Sequence, residues 1–128
     1  MAIIGIGVDV TEVERVAKLL EQYGERFIKK VFTSIESNYC QDRAHAAARF
    51  AARFAAKEAA SKALGTGFQQ GVSWRSIWVE NLPSGQPTVR LDRGAERLAL
   101  ELGVEHIHLS LTHTKGLAVA VVIIEGGG

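Results

Sequence analysis

Residues 44 to 64, AHAAARFAARFAAKEAASKAL, constrain this chain more than any other stretch. The segment is saturated with strong helix formers and contains neither glycine nor proline. Gly65 and Gly67 follow it, and glycine is the residue that tolerates a left-handed C-cap. The pattern predicts one long helix from about Ala44 to Leu64. The flanking sequence supplies strands. Ala2 to Val10 is rich in Ile and Val and reads as a buried strand. Thr11, with Glu14 three residues later, fits a capping box for a helix running on to Gly24. Phe27 to Phe32 suggests a short helix, and Thr33 or Ser34 opens another, with Glu36 in the first turn where the helix dipole favours an acid.

Beyond Gly71, Trp74 to Glu80 and Thr88 to Leu91 read as partner strands across the turn-forming run Asn81 to Pro87. Arg93 to Leu102 is helical, and His106 to Thr112 and Leu117 to Glu125 form a last pair of strands. This order specifies an α+β fold. With 128 residues, 47% of them hydrophobic, and only two prolines, the chain suits a single domain over 1–125, with a frayed glycine tail at 126–128.

Fifteen basic and fourteen acidic side chains leave a formal charge of +1, which points to no nucleic acid or other polyanion as partner. The lone cysteine, Cys40, excludes an internal disulfide and a cysteine-based zinc site. The N-terminus lacks a basic region before its apolar run, and no window approaches the ~18 apolar residues of a membrane span. A soluble, cytoplasmic protein without membrane attachment is expected.

Three segments carry groups capable of chemistry. Gly5-Ile-Gly7-Val-Asp9 ends an apolar strand on a carboxylate, which is costly unless paired or metal-bound. A helix cap and a metal ligand are both open readings for Asp9. A dinucleotide fingerprint is disfavoured, since its third glycine would fall at Val10. In the long helix, Glu58, Ser61 and Lys62 are spaced i, i+3, i+4 on one face. Arg53 lies roughly 140° around the helix from Glu58, on an adjoining flank. A carboxylate with an ammonium and a guanidinium suits a magnesium–diphosphate ligand, although Glu58 and Lys62 also fit an ordinary surface pair. Alternation places His106, His108, Ser110 and Thr112 on one face of a strand, with His113 at its end.

Together these segments resemble the small acyl-carrier-protein-synthase class of 4′-phosphopantetheinyl transferases. The likeness is carried by GIGVDVTEVERV, FTSIESNYC, RFAAKEAASKALGTG and HLSLTHTKGLAVAVVIIE, and spans almost the whole chain. It implies the family fold, an antiparallel sheet packed with one long helix, and transfer of phosphopantetheine from coenzyme A to a serine of apo acyl carrier protein, releasing 3′,5′-ADP. It implies Asp9 and Glu58 as ligands of Mg²⁺, with Mn²⁺ as an alternative. Lys62 then stabilises developing charge, and Glu58 receives the serine proton through a metal-held water. Arg53, Ser61, Lys62, His113 and Thr114 are implied as coenzyme A contacts, and Arg15 as the docking residue for the carrier protein. The basic run Arg26, Lys29 and Lys30 extends that surface or is simply a solvated helix face. The resemblance further implies a homotrimer with sites at subunit interfaces. It leaves open which of Lys57 and Lys62 is catalytic. Gln86 stands where the family commonly has lysine, so a cationic contact expected there is missing. A magnesium-dependent diphosphate or nucleotide hydrolase, or a non-catalytic coenzyme A-binding oligomer, are the rival readings.

Overall fold

The structure, a computed structural model, describes residues 1–41 and 44–127. The elements are β1 (Ala2–Glu12), α1 (Val13–Tyr23), α2 (Glu25–Val31), α3 (Ser34–Gln41), α4 (Ala46–Ala63), β2 (Ile77–Asn81), β3 (Pro87–Leu91), α5 (Arg93–Leu102), β4 (Val104–His113) and β5 (Leu117–Gly126). The fold is α+β, as expected. One antiparallel sheet has the order β1-β5-β4, and β2 pairs with β3 in a separate hairpin that sets Asn81 opposite Pro87.

Helix α4 lies on one face of the three-stranded sheet. Its Ala51, Ala55 and Ala59 are fully buried, as are Ala118, Ala120 and Val122 of β5. Small residues on both sides let helix and sheet backbones approach closely. A Cβ added at Gly7 would lie 1.8 Å from the Ala59 carbonyl oxygen, and one at Gly5 2.0 Å from that of Ala63. The glycines that invited a nucleotide-loop reading are therefore the seat of the long helix. That close packing holds the end of β1 against the C-terminal half of α4.

Some expectations need correction. Strand β1 is not buried on both faces: Ile6, Val8 and Val10 are 60%, 53% and 59% exposed. The apolar run concealed this, because its glycine-bearing face alone meets α4. Trp74 to Ser76 is a 3₁₀ turn rather than strand, closed by a hydrogen bond from the Ser73 N–H to the Ser76 hydroxyl at 3.0 Å. Gly126 is not in a frayed tail; it closes β5 opposite Ala2 and Val104. Gly128 lies outside the described residues. No helix among them is long and apolar enough to cross a membrane.

Candidate active site

The end of β1 and the last turns of α4 bring Asp9, Glu58 and Lys62 together. The Lys62 ammonium lies 3.1 Å from Asp9 Oδ1 and also donates to the Val8 carbonyl at 3.1 Å. Thr11 Oγ1 donates to Asp9 Oδ2 at 2.7 Å. Neither Asp9 nor Thr11 caps α1, which starts at Val13 after Glu12 with no side-chain cap. The capping reading of both residues is overturned, because β1 continues through Glu12 and carries Thr11 into the sheet.

Glu58 is half-buried beside this pair. Burial pushes its carboxyl above the usual carboxylate range, and the neighbouring Asp9 charge adds to the effect. Lys62 and Arg15 oppose the shift without cancelling it. The cluster thus leaves Glu58 without a direct ion pair: the half-exposed Lys62 ammonium contacts Asp9, and burial outweighs the pull of Lys62 and Arg15. Mg²⁺ takes one or two carboxylates together with phosphate oxygens and water, so the donor set fits that ion. The described residues hold no cluster of three or more acidic, histidine or cysteine side chains that could enclose a metal.

Lys57 has a different environment. Its ammonium is fully buried, 2.7 Å from Glu36 Oε1 and 2.5 Å from the Ile77 carbonyl oxygen. Glu36 is equally buried and accepts from the N–H groups of Thr33 at 3.0 Å and Val79 at 2.9 Å. Burial lowers the Lys57 pKa against the pull of Glu36. This pair ties α3, α4 and β2 together and faces no open cleft. Sequence reading missed it, although Thr33-x-x-Glu36 is a capping-box pattern and the Glu36 N–H does point to Thr33 Oγ1 at 3.4 Å.

Arg53 occupies the other flank of α4. It is 4% exposed, donates to Asn81 Oδ1 at 2.6 Å and stacks 3.9 Å over the Tyr39 ring centroid. His113 lines the same cavity, beside the β2–β3 hairpin. Thr114 and His113 also border a second, larger cavity with Val13 and His45. Thr114 Oγ1 accepts from the N–H groups of Gly116 and Leu117 at 3.2 and 3.1 Å and so shapes the β4–β5 turn. Ser61 departs from expectation. It is fully buried, and its hydroxyl donates to the Glu58 carbonyl at 2.7 Å, so it is not presented to a ligand. The sequence-selected residues therefore form two groups, Asp9, Glu58 and Lys62 on the β1 flank and Arg53 and His113 on the β4 flank, with α4 between them.

Arg15 and Lys18 are exposed on α1, sharing a shallow cleft with Glu12 and Glu14. The Arg15 guanidinium sits 5.6 Å over Phe54 of α4. Next to it, Leu19, Tyr23 and Phe27 form an apolar cleft rimmed by Arg26 and Lys30.

Residues 5–122 match the 4′-phosphopantetheinyl transferase superfamily. The holo-[acyl-carrier-protein] synthase of Solibacter usitatus is 49% identical over 123 residues, covering 96% of this chain and 98% of that protein. That of Methylobacterium radiotolerans is 53% identical over 127 residues, covering 96% and 93%. Among solved structures, a holo-(acyl-carrier-protein) synthase from Bacillus anthracis in complex with CoA (3′,5′-ADP) superposes with a TM-score of 0.81 at 35% identity, over 98% of each chain. The Helicobacter pylori holo-[acyl-carrier-protein] synthase in complex with coenzyme A gives 0.83 at 27% identity, covering 94% of this chain and 99% of that one.

Proposed function

From the membership of this chain in the 4′-phosphopantetheinyl transferase superfamily, we propose that it transfers the 4′-phosphopantetheine group of coenzyme A to a serine of apo acyl carrier protein. The observation that carries this reading is the Asp9–Glu58–Lys62 cluster, two carboxylates and an ammonium gathered at a half-open site. Asp9 and Glu58 would hold Mg²⁺, with Mn²⁺ as an alternative, and that ion would neutralise charge on the phosphoryl oxygens.

The chain's own groups then have distinct tasks. The serine oxygen attacks the β-phosphate and forms the new P–O bond, while the bond to 3′,5′-ADP breaks and that group leaves. The Lys62 ammonium stabilises negative charge developing on the phosphoryl oxygens. Glu58 would receive the serine proton through a water between them. Arg53 and His113 bind coenzyme A from the cavity on the other flank, and Thr114 holds the adjoining turn. Arg15 meets the acidic carrier protein, with Arg26 and Lys30 extending the surface beside an apolar cleft.

A homotrimer with sites at subunit interfaces is part of the proposal. Two features support it: the exposed apolar face of Ile6, Val8 and Val10, and the separation of the phosphate-handling residues onto opposite flanks of α4. A second copy covering the bare face would bring one flank toward the other. Sedimentation giving the mass of a single chain would remove the assembly. A cytoplasmic site of action completes the reading, in keeping with the one cysteine, Cys40, held buried and outside any disulfide.

Incubation with coenzyme A, Mg²⁺ and apo acyl carrier protein, followed by mass spectrometry of the carrier, tests the transfer. The expected result is a carrier heavier by one phosphopantetheine. An unchanged carrier mass would sink the proposal, and coenzyme A cleavage without a carrier would favour the hydrolase instead.

A further inference from the structure

Strand alternation gives Gly7, Asp9 and Thr11 one face of β1, the face that meets α4, and leaves Ile6, Val8 and Val10 on the other. The backbone along this face has little freedom. Gly7 is seated against Ala59, Asp9 lies opposite Ala120 in the sheet, and Thr11 lies opposite Ala118. What the backbone leaves unset is the rotation of the Asp9 side chain. Two donors from different elements set it. The Lys62 ammonium reaches Oδ1 from α4 at 3.1 Å, and the Thr11 hydroxyl reaches Oδ2 from β1 itself at 2.7 Å. An ionised carboxylate only accepts, so the hydroxyl is the donor.

The two donors differ in kind. The Lys62 side chain is 50% exposed on a flexible stem, and its charge is the one assigned to the phosphates. Thr11 is 2% exposed and β-branched, hence stiff about its first torsion. The alanines opposite offer no polar group, and Asp9 is the only hydrogen-bond partner of the Thr11 hydroxyl among the described residues. A carboxylate has about four lone-pair sites, so two donors leave room for a cation. Once the ammonium turns to a phosphate oxygen, Thr11 is the donor that remains on Asp9. We infer that Thr11 is a positioning residue: it fixes the Asp9 carboxylate for the divalent cation and keeps it fixed when Lys62 is drawn away. The inference rests on the transfer reading above. It gives the buried hydroxyl a task in metal affinity, beyond filling its place in the sheet.

Titration with Mn²⁺, followed by the electron paramagnetic resonance of the free ion, is the test. Coenzyme A is present throughout, and coenzyme A alone is the blank. Thr11→Ser keeps the hydroxyl and loses the methyl, Thr11→Val keeps the shape and loses the hydroxyl, and Thr11→Ala loses both. Thr11→Ser is expected to bind Mn²⁺ as wild type does. Thr11→Val and Thr11→Ala should each bind it about tenfold or more weakly, the scale for losing a hydrogen bond to a ligating group. Affinities that follow size instead, with Thr11→Val near wild type and the two smaller variants weak, would overturn the inference. Four equal affinities would also overturn it while leaving the transfer reading standing. Melting curves check that each variant folds, and the serine–alanine comparison decides the matter without the valine variant. A wild-type protein that takes up no Mn²⁺ above the blank would overturn the inference too. It would remove the transfer reading only together with an unchanged carrier mass.

Discussion

Helix α4 carries two lysines five residues apart, and their surroundings could hardly differ more. Lys57 is sealed from solvent with Glu36, and each charged group has further hydrogen-bond partners from β2 or the start of α3. Lys62 is half-exposed beside Asp9, and the burial of Glu58 next to them is only partly offset by Lys62 and Arg15. The first region is electrostatically complete, whereas in the second the cations do not outweigh the burial of Glu58. A completed buried pair can act as a fixed joint, whereas an incomplete one has capacity left for a ligand. This contrast favours Lys62 over Lys57 as the lysine that meets the phosphates.

The contrast can be broken by substitution, most strongly at its carboxylate. Glu58→Gln is expected to cut transfer by about a thousandfold or more, on the scale of removing a principal electrostatic stabiliser. Because the folded protein raises the pKa of Glu58, the ionised carboxylate costs stability once the pH has risen through that raised value. The amide should therefore leave the melting temperature at neutral pH, measured without divalent cation, equal or higher. Full activity in this variant would take Glu58 out of the metal site.

The two lysines should then separate by assay. Lys57→Met leaves Glu36 buried and unpaired, a loss of about 3–5 kcal/mol read in chemical denaturation. Lys62→Ala should leave stability within about 0.5 kcal/mol of wild type, as at an exposed site, and reduce turnover about a hundredfold. The reverse pattern would exchange their roles. The smallest effect is expected on α1: Arg15→Glu should weaken carrier binding about tenfold at low salt, an effect fading as ionic strength rises. Equal loss of coenzyme A binding would count against docking.

Much of this was legible along the chain. The alanine-rich run gave α4 nearly to its ends, and Gly103 marked the stop of α5, whose span from Arg93 to Leu102 matches the sequence reading. Strand alternation correctly turned His106, His108, Ser110 and Thr112 to the open face of β4. Asp9, Glu58 and Lys62 could be named individually. Burial of Ser61 could not be read, since its spacing from Glu58 is as good as that of Lys62 and only the inner edge of the helix separates them. Glu36 looked like a dipole-satisfying acid because nothing local announces a partner twenty-one residues away.

The local pattern by itself determined most of the helices and strands, though not the 3₁₀ turn at Trp74 to Ser76 or the extension of β1 through Thr11, since periodicity, glycine stops and propensity act over a few residues. It also named the acids and bases capable of phosphate chemistry. Only the tertiary structure decided which of them are spent on each other. That choice depends on the seating of α4 against Gly5 and Gly7, where backbone contact sets the helix's position on the sheet. The seating keeps Lys57 dry, leaves Lys62 at the edge beside Asp9, and turns Arg53 to the opposite flank.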